Sequence, residues 1–223
     1  MKRFVVVLLM ILVVVVGGGY LLINGKKTVD VIWTEADLNS YLAKGKVTFA
    51  ENRASVEDII SGNFVAVGMS NVEGRVTSAE ITAILNAASR QAGVLRDIRV
   101  KFGDGGKVEA SAMISDNLEL LYQKFPQAKA YESYINTLKG KCVYLKTSLE
   151  RVDNKKFEAW VDQASIGLAP LPTGQVNTYL TQVGTEINSI ISRMNGFSAE
   201  QFSFDSSGLY FKGTIPKEIR VAK

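Results

Sequence analysis

Twenty consecutive residues near the start of the chain, residues 4–23, contain no charged side chain. An α-helix rises about 1.5 Å per residue, so a helix of this length reaches across the roughly 30 Å hydrocarbon layer of a bilayer. Basic residues flank the segment, with Lys2 and Arg3 before it and Lys26 and Lys27 after it. The sequence therefore predicts one membrane-spanning helix, and residues 1–26 form an N-terminal transmembrane anchor with short basic flanks.

A cleaved signal peptide is the alternative for the same segment. Lys2 and Arg3 form a suitable positive start, and residues 17–19 (GGG) supply the small residues that a cleavage site needs. Residues 20–23 (YLLI) favour a retained signal-anchor, because cleavage would leave them as an apolar N-terminus. A short tail before the span and a long domain after it favour translocation of the domain. We expect a single-pass protein of the cell membrane, with residues 27–223 as one extracytoplasmic α+β domain.

The net charge of +4 comes from the flanks of the predicted span. Apart from Lys2, Arg3, Lys26 and Lys27, the chain carries 22 basic and 22 acidic side chains. Nucleic-acid-binding domains usually present a basic surface that neutralises phosphates. The neutral domain therefore argues against a nucleic-acid partner.

Composition also removes most catalytic chemistry. The chain has no histidine and a single cysteine, Cys142. Ser-His-Asp and Cys-His catalysis, His-rich zinc sites and an intrachain disulfide are thereby excluded. Residues 103–107 (GDGGK) lack the spacing of a phosphate-binding loop and are typical of a hairpin turn. We expect no enzymatic activity, no cofactor and no metal site.

Three segments alternate apolar and polar residues on either side of turn residues, as in antiparallel hairpins with one covered face. The predicted hairpins span residues 98–114, 143–161 and 202–215. Residues 64–68 and 72–76 are predicted as additional edge strands. The inward-facing positions of the hairpins include Val100, Phe102, Val143, Leu145, Phe202, Phe204 and Phe211.

Helix start signals and apolar periodicity predict the elements that cover the sheet. Residues 77–80 (TSAE) form a capping box, which opens a helix with Ile81, Ile84 and Leu85 on one face. The longest predicted helix, residues 174–194, has apolar residues at gaps of three and four: Val176, Leu180, Val183, Ile187, Ile190 and Met194. Shorter helices are predicted from residue 34 and over residues 117–125, where Pro126 interrupts the pattern.

A helix followed by a hairpin occurs twice, in residues 77–114 and 174–215. The two copies share little identity, so internal duplication stays an open alternative. The patterns together predict an α+β fold, in which a curved antiparallel sheet of hairpins wraps one or two long amphipathic helices, preceded by the single N-terminal transmembrane helix.

Three runs of residues carry a resemblance to a known family: residues 33–42 (WTEADLNSYL), 76–86 (VTSAEITAILN) and 166–177 (IGLAPLPTGQVN). Together with the N-terminal span, they resemble the bacterial YpmS-like membrane-anchored proteins, which are similar to tubular lipid-binding (TULIP) domains. The resemblance implies a curved sheet around a long helix, with an apolar channel between them. It also implies a non-catalytic role in the cell envelope, binding a lipid or another long apolar molecule.

The candidate lipid-binding residues are the apolar positions of the predicted sheet and helices: Ile81, Ile84, Leu85, Val100, Phe102, Val143, Leu145, Val176, Leu180, Val183, Ile187, Ile190, Met194, Phe202, Phe204 and Phe211. Ordinary core packing is the alternative for each of them. Tyr144, Trp160 and Tyr210 fall on the polar faces of their strands and are candidate partner-binding residues. An envelope scaffold with a solid core, which docks another protein through these aromatics, is therefore the alternative function. The alternative for the three aromatics is that helices or loops cover them or that they are scattered surface residues.

Overall fold

The computed structural model describes residues 25–45, 58, 62–124 and 126–222. The predicted transmembrane segment, residues 4–23, lies outside these ranges. Within them, none of the helices has both the length and the apolar character needed to cross a bilayer.

Five helices, a short 3₁₀ segment and ten strands make up the described part. The helices are α1 (Glu35–Gly45), α2 (Ser78–Ala92), α3 (Glu119–Lys124), α4 (Glu132–Thr137) and α5 (Thr173–Arg193), and the 3₁₀ segment is Pro126–Tyr131. The strands are β1 (Phe64–Val67), β2 (Ser70–Val76), β3 (Leu95–Phe102), β4 (Lys107–Ile114), β5 (Cys142–Arg151), β6 (Phe157–Ile166), β7 (Ala169–Pro170), β8 (Ser198–Asp205), β9 (Gly208–Ile215) and β10 (Glu218–Val221).

The fold class is α+β with curved antiparallel sheets, as the sequence predicts. The three predicted hairpins are confirmed as β3-β4, β5-β6 and β8-β9. The strands form three sheets: a five-stranded sheet β3-β4-β5-β6-β7, a three-stranded sheet β2-β9-β8 and the pair β1-β10. The two predicted edge strands are confirmed as β1 and β2.

The capping box at the start of α2 is also confirmed. The Glu80 amide donates to Thr77 Oγ1 at 3.1 Å, and Glu80 Oε2 accepts from the Thr77 amide at 2.9 Å. The buried Glu80 carboxylate also accepts from Ser40 Oγ at 2.6 Å and from Lys44 Nζ at 2.5 Å, so it joins α1 to α2. One carboxylate thus fixes both the start of α2 and its neighbour.

Polar side chains on α2 bind the free edge of the five-stranded sheet at β3. Ser78 Oγ accepts from the Phe102 amide at 3.0 Å, and Thr82 Oγ1 accepts from the Val100 amide at 2.9 Å. The Asn86 amide group accepts from the Ile98 N–H at 3.0 Å and donates to its carbonyl at 2.6 Å. These side chains recur every four residues, once per helical turn, so they replace a neighbouring strand along the edge.

Helix α5 does the same at the opposite edge, along β6. Asn177 accepts from the Val161 N–H at 2.5 Å and donates to its carbonyl at 3.1 Å. Asn188 makes the equivalent pair with Phe157 at 3.0 and 2.8 Å. The two long helices therefore lie along the two edges of the five-stranded sheet.

Residues 25–33, which we call the strap, cross the outer face of this sheet. Gly25 packs against Leu168, and the Lys27 carbonyl accepts from the Cys142 thiol at 3.2 Å. The Val29 amide donates to Ser111 Oγ at 2.9 Å, and Val29 is only 3% exposed. The strap contacts β6-β7, β5 and β4 in turn, so it covers a face that alternation alone would leave to solvent.

Candidate functional site

An apolar cavity of about 460 Å³, partly open to solvent, lies between the five-stranded sheet and the helices. Its walls come from the inner faces of β3, β4, β5 and β6, from α2 and α5, and from the short helices α3 and α4. Nearly all of its surface is carbon. Pockets that hold small molecules usually measure about 300–1,000 Å³, so this cavity has the size of a ligand site.

Small side chains on the sheet leave the space open. Ala110 and Ala112 on β4 and Ala164 on β6 line the cavity where a leucine or valine would fill it. Leu121 on α3 and Leu138, just after α4, line the opposite side. The cavity therefore follows from alanines facing a separate helical layer across a gap.

Apolar space of this size is poorly satisfied when no ligand fills it. The cavity is partly open to solvent, and water inside it would find almost no hydrogen-bond partner on the apolar walls. An apolar ligand in the cavity would make the contacts that water cannot.

Five predicted lipid-binding residues line the cavity: Leu85, Val100, Val143, Leu145 and Val176. They come from α2, β3, β5 and α5, which are far apart in sequence. The structure thus brings together the amino-terminal end of the long apolar stripe on α5 and the inner faces of two predicted hairpins.

Another group of candidates forms a second core beside the cavity. Phe102 and Phe204 are buried with ring centroids 5.3 Å apart, and Phe202 meets Phe204 edge-on at 4.9 Å. Ile81 packs against the same cluster. Phe211 lies outside this cluster and is half-buried, with its ring centroid 6.1 Å from that of Phe197. Aromatic pairs at these distances stabilise a core, so core packing applies to these residues and not cavity lining.

The rest of the α5 stripe leaves the cavity. Leu180 packs against the buried cluster that surrounds the cavity, which includes Leu121, Ile166 and Val176. Val183, Ile190 and Met194 are half-buried, and Ile187 is 49% exposed. Ile84 on α2 is also half-buried outside the cavity. Asn177 and Asn188 hold α5 along the β6 edge. In the described part of α5, only the first turn, with Val176, borders the cavity.

The predicted aromatic surface patch is wrong for Tyr144, which is 3% exposed. Lys27 of the strap lies 3.9 Å from the centre of its ring, and its hydroxyl donates to Glu109 at 2.9 Å. Burial, together with the Glu109 carboxylate, raises the pKa of Tyr144 to about 12. Trp160 is 42% exposed, and Tyr210 lies on a different sheet, where it donates to Glu73 at 2.8 Å.

Several lining residues were not among the candidates. Leu118, Leu121, Ile135 and Leu138 come from the region around Pro126. Ala110 and Ala112 lie within the predicted hairpin of residues 98–114, and Ala164 lies beyond the predicted hairpin of residues 143–161. The alanines have one signal in the sequence: they are small residues at inward-facing positions where the other strands carry larger residues.

No cluster of three or more His, Cys, Asp or Glu side chains that could hold a metal ion occurs in the described ranges. Comparison of the chain with protein-family models, with curated proteins and with solved structures gave no match.

Proposed function

We propose that this chain is a membrane-anchored, extracytoplasmic binding protein for a lipid or another long apolar molecule, and that it has no catalytic role. The observation that carries the proposal is the apolar cavity of about 460 Å³, with almost no polar surface to orient a reacting group. A relationship to the YpmS-like proteins, which are similar to TULIP domains, belongs to the same proposal.

The anchor places this cavity close to its source of ligand. The strap begins two residues after Ile23, the last residue of the proposed span, and a chain of two residues reaches at most about 7 Å. Gly25 already contacts Leu168, which follows the last cavity-lining residue of β6, Ile166, by two positions. The protein would therefore receive or release lipid at its own membrane.

Lipid retention by the full chain tests the proposal. We would purify the full chain in digitonin, which has no acyl chain, and measure co-purifying lipids by mass spectrometry after denaturation. We expect about one acyl-containing molecule per chain. In Ala110→Trp the indole occupies the cavity, so the lipid should be lost.

Ala130→Trp is the matched control, because Ala130 is exposed on the 3₁₀ segment and the lipid should remain. A wild-type chain that is repeatedly free of lipid would refute the proposal.

The second candidate function is an envelope scaffold that docks another protein, and the exposed Trp160 favours it. In a pull-down from membranes with the full chain as bait, a partner that is lost on Trp160→Ala would support the scaffold. Retained lipid in the same preparation would assign that contact to a second role of a lipid-binding protein.

A further inference from the structure

A second pocket, of about 400 Å³, shares a lining residue with the apolar cavity, and its surface is part polar and part apolar. We call it the polar pocket, because Asn86, Arg90 and Asp97 line it. It lies where α2 ends and β3 begins, and Trp33 of the strap forms part of its wall. Leu95 lines both spaces, and Gly93 and Val94 line one each. Leu95 therefore lies between the two spaces, and a ligand with its apolar part in the cavity must pass this side chain to place a polar end in the pocket.

The wall of this polar pocket is held in an unusual backbone conformation. The pairing of β3 with β4 shifts register between Arg96 and Arg99. Asp97, inside this bulge, has φ of 50° and is the only residue other than glycine with a positive φ in the described ranges. The side chains of Asn86 and Ser89 bind the backbone on either side of it. Bulges and strained residues of this kind concentrate at binding sites.

The pocket offers hydrogen-bond donors that no acceptor of the described residues binds, and Arg90 is exposed, so solvent hydrates it in the absence of a ligand. Arg90 and the Trp33 indole make no hydrogen bond or ion pair in the described part of the chain. Ser115 Oγ accepts from the Asn117 amide at 3.3 Å, which leaves its own proton available. A group that satisfies these donors must be an acceptor, and Arg90 favours one with negative charge.

The other charges around the pocket are already paired. Arg96 binds Asp116 at 2.8 Å, and Asp97 binds Arg99 at 3.2 Å. The carboxyl end of α2 opposes an anion, but it carries only about half a negative charge against the full charge of Arg90. The pocket is therefore complementary to one anionic group.

We propose that the polar pocket binds the anionic headgroup, a carboxylate or a phosphate, of an amphiphile whose acyl tail fills the apolar cavity. This inference rests on the proposed function, since it requires a ligand in the cavity. It adds the ligand class: an anionic lipid or fatty acid, and not a neutral hydrocarbon or alcohol.

Three C16 probes with the same tail test the headgroup. Palmitate, hexadecyl phosphate and hexadecanol would be titrated into the delipidated full chain in digitonin, with binding followed by native mass spectrometry. A charge-assisted hydrogen bond changes affinity by roughly tenfold or more. We expect both anionic probes to bind at least about tenfold more tightly than hexadecanol.

In Arg90→Gln the two anionic probes should lose about tenfold in affinity, while hexadecanol is unchanged. Arg220→Gln on β10 removes an equal charge far along the chain, where Arg220 binds Glu218, and should change nothing. Inorganic phosphate alone serves as a probe for a free-anion site.

Each other outcome overturns the inference in a distinct way. If no C16 probe binds, both this inference and the proposed function fail. If all three bind equally and Arg90→Gln has no effect, the headgroup site fails but the apolar ligand stands. If inorganic phosphate binds as tightly as hexadecyl phosphate, the pocket is a free-anion site and no lipid headgroup is involved.

Discussion

Replacing Ala112 with leucine should stabilise the ligand-free protein, whereas most substitutions that enlarge a core residue destabilise the folded state. Ala112 lines the apolar cavity from β4, so the added atoms enter empty space. Three added carbons at about 0.8 kcal/mol each contribute about 2.4 kcal/mol. Ordering the leucine side chain costs about 0.5–1 kcal/mol, so the net gain is about 1.5 kcal/mol.

Urea denaturation of the delipidated full chain in digitonin, followed by tryptophan fluorescence, measures this gain. With a slope of about 1–3 kcal/mol per molar urea, the midpoint should rise by roughly 0.5–1.5 M. Ala83→Leu is the matched control, because Ala83 is 0% exposed on α2 and lies away from the cavity. Overpacking there should cost about 1–3 kcal/mol.

The sign of the change decides the outcome. If Ala112→Leu destabilises as much as Ala83→Leu, the space beside Ala112 is already filled by protein atoms, and the case for a ligand cavity fails. A stabilised Ala112→Leu should also retain less lipid after purification, because the leucine and the ligand compete for one volume.

Three further predictions concern the scaffold, each measured by urea denaturation. Asn86→Leu leaves the Ile98 N–H and carbonyl without partners and should cost about 3 kcal/mol; an unchanged midpoint would refute the edge contact. Burial raises the pKa of Glu80, but the hydrogen bonds from Lys44, Ser40 and Thr77 outweigh burial and hold this pKa below its usual value. Stability is therefore lost as pH falls through the lowered pKa, and Glu80→Gln should make the loss less steep. Gly213→Ala places a Cβ 1.9 Å from a backbone oxygen of β8 and should cost at least about 2 kcal/mol, while Gly184→Ala, with open space on α5, should gain up to about 1 kcal/mol.

The hairpins and helices could be predicted because their signals are local. Alternation over residues 98–114 and the capping box at Thr77 depend on neighbours a few positions apart, and both are confirmed. The polar contacts along the sheet edges were missed, although Ser78, Thr82 and Asn86 are spaced one turn apart. Only the apolar face of α2 was assigned a role, because a polar side chain gives no sign in sequence of which backbone it will bind.

An apolar channel was expected only from the family resemblance. The residue pattern itself predicted neither the position of the cavity nor the strap, because neither has a periodic signal. A void consists of missing atoms, so Ala110 and Ala112 looked like ordinary inward-facing strand residues. The strap lacks regular secondary structure, and nothing near Val29 indicates that it is buried across β4. For the same reason Tyr144 was wrongly expected at the surface, since alternation does not reveal what covers the second face of a sheet.

The hydrogen bonds from α2 and α5 to the sheet edges also determine how a ligand can enter. Moving either long helix away from the sheet would break backbone contacts at Val100, Ile98, Val161 or Phe157, and parting the strands would break their ladders. Helices α3 and α4, of six residues each, border the cavity through the apolar side chains of Leu121 and Ile135, and neither lies along an edge of the five-stranded sheet as α2 and α5 do. We therefore expect a ligand to enter where these two short helices border the cavity, while the sheet and the two long helices keep their positions.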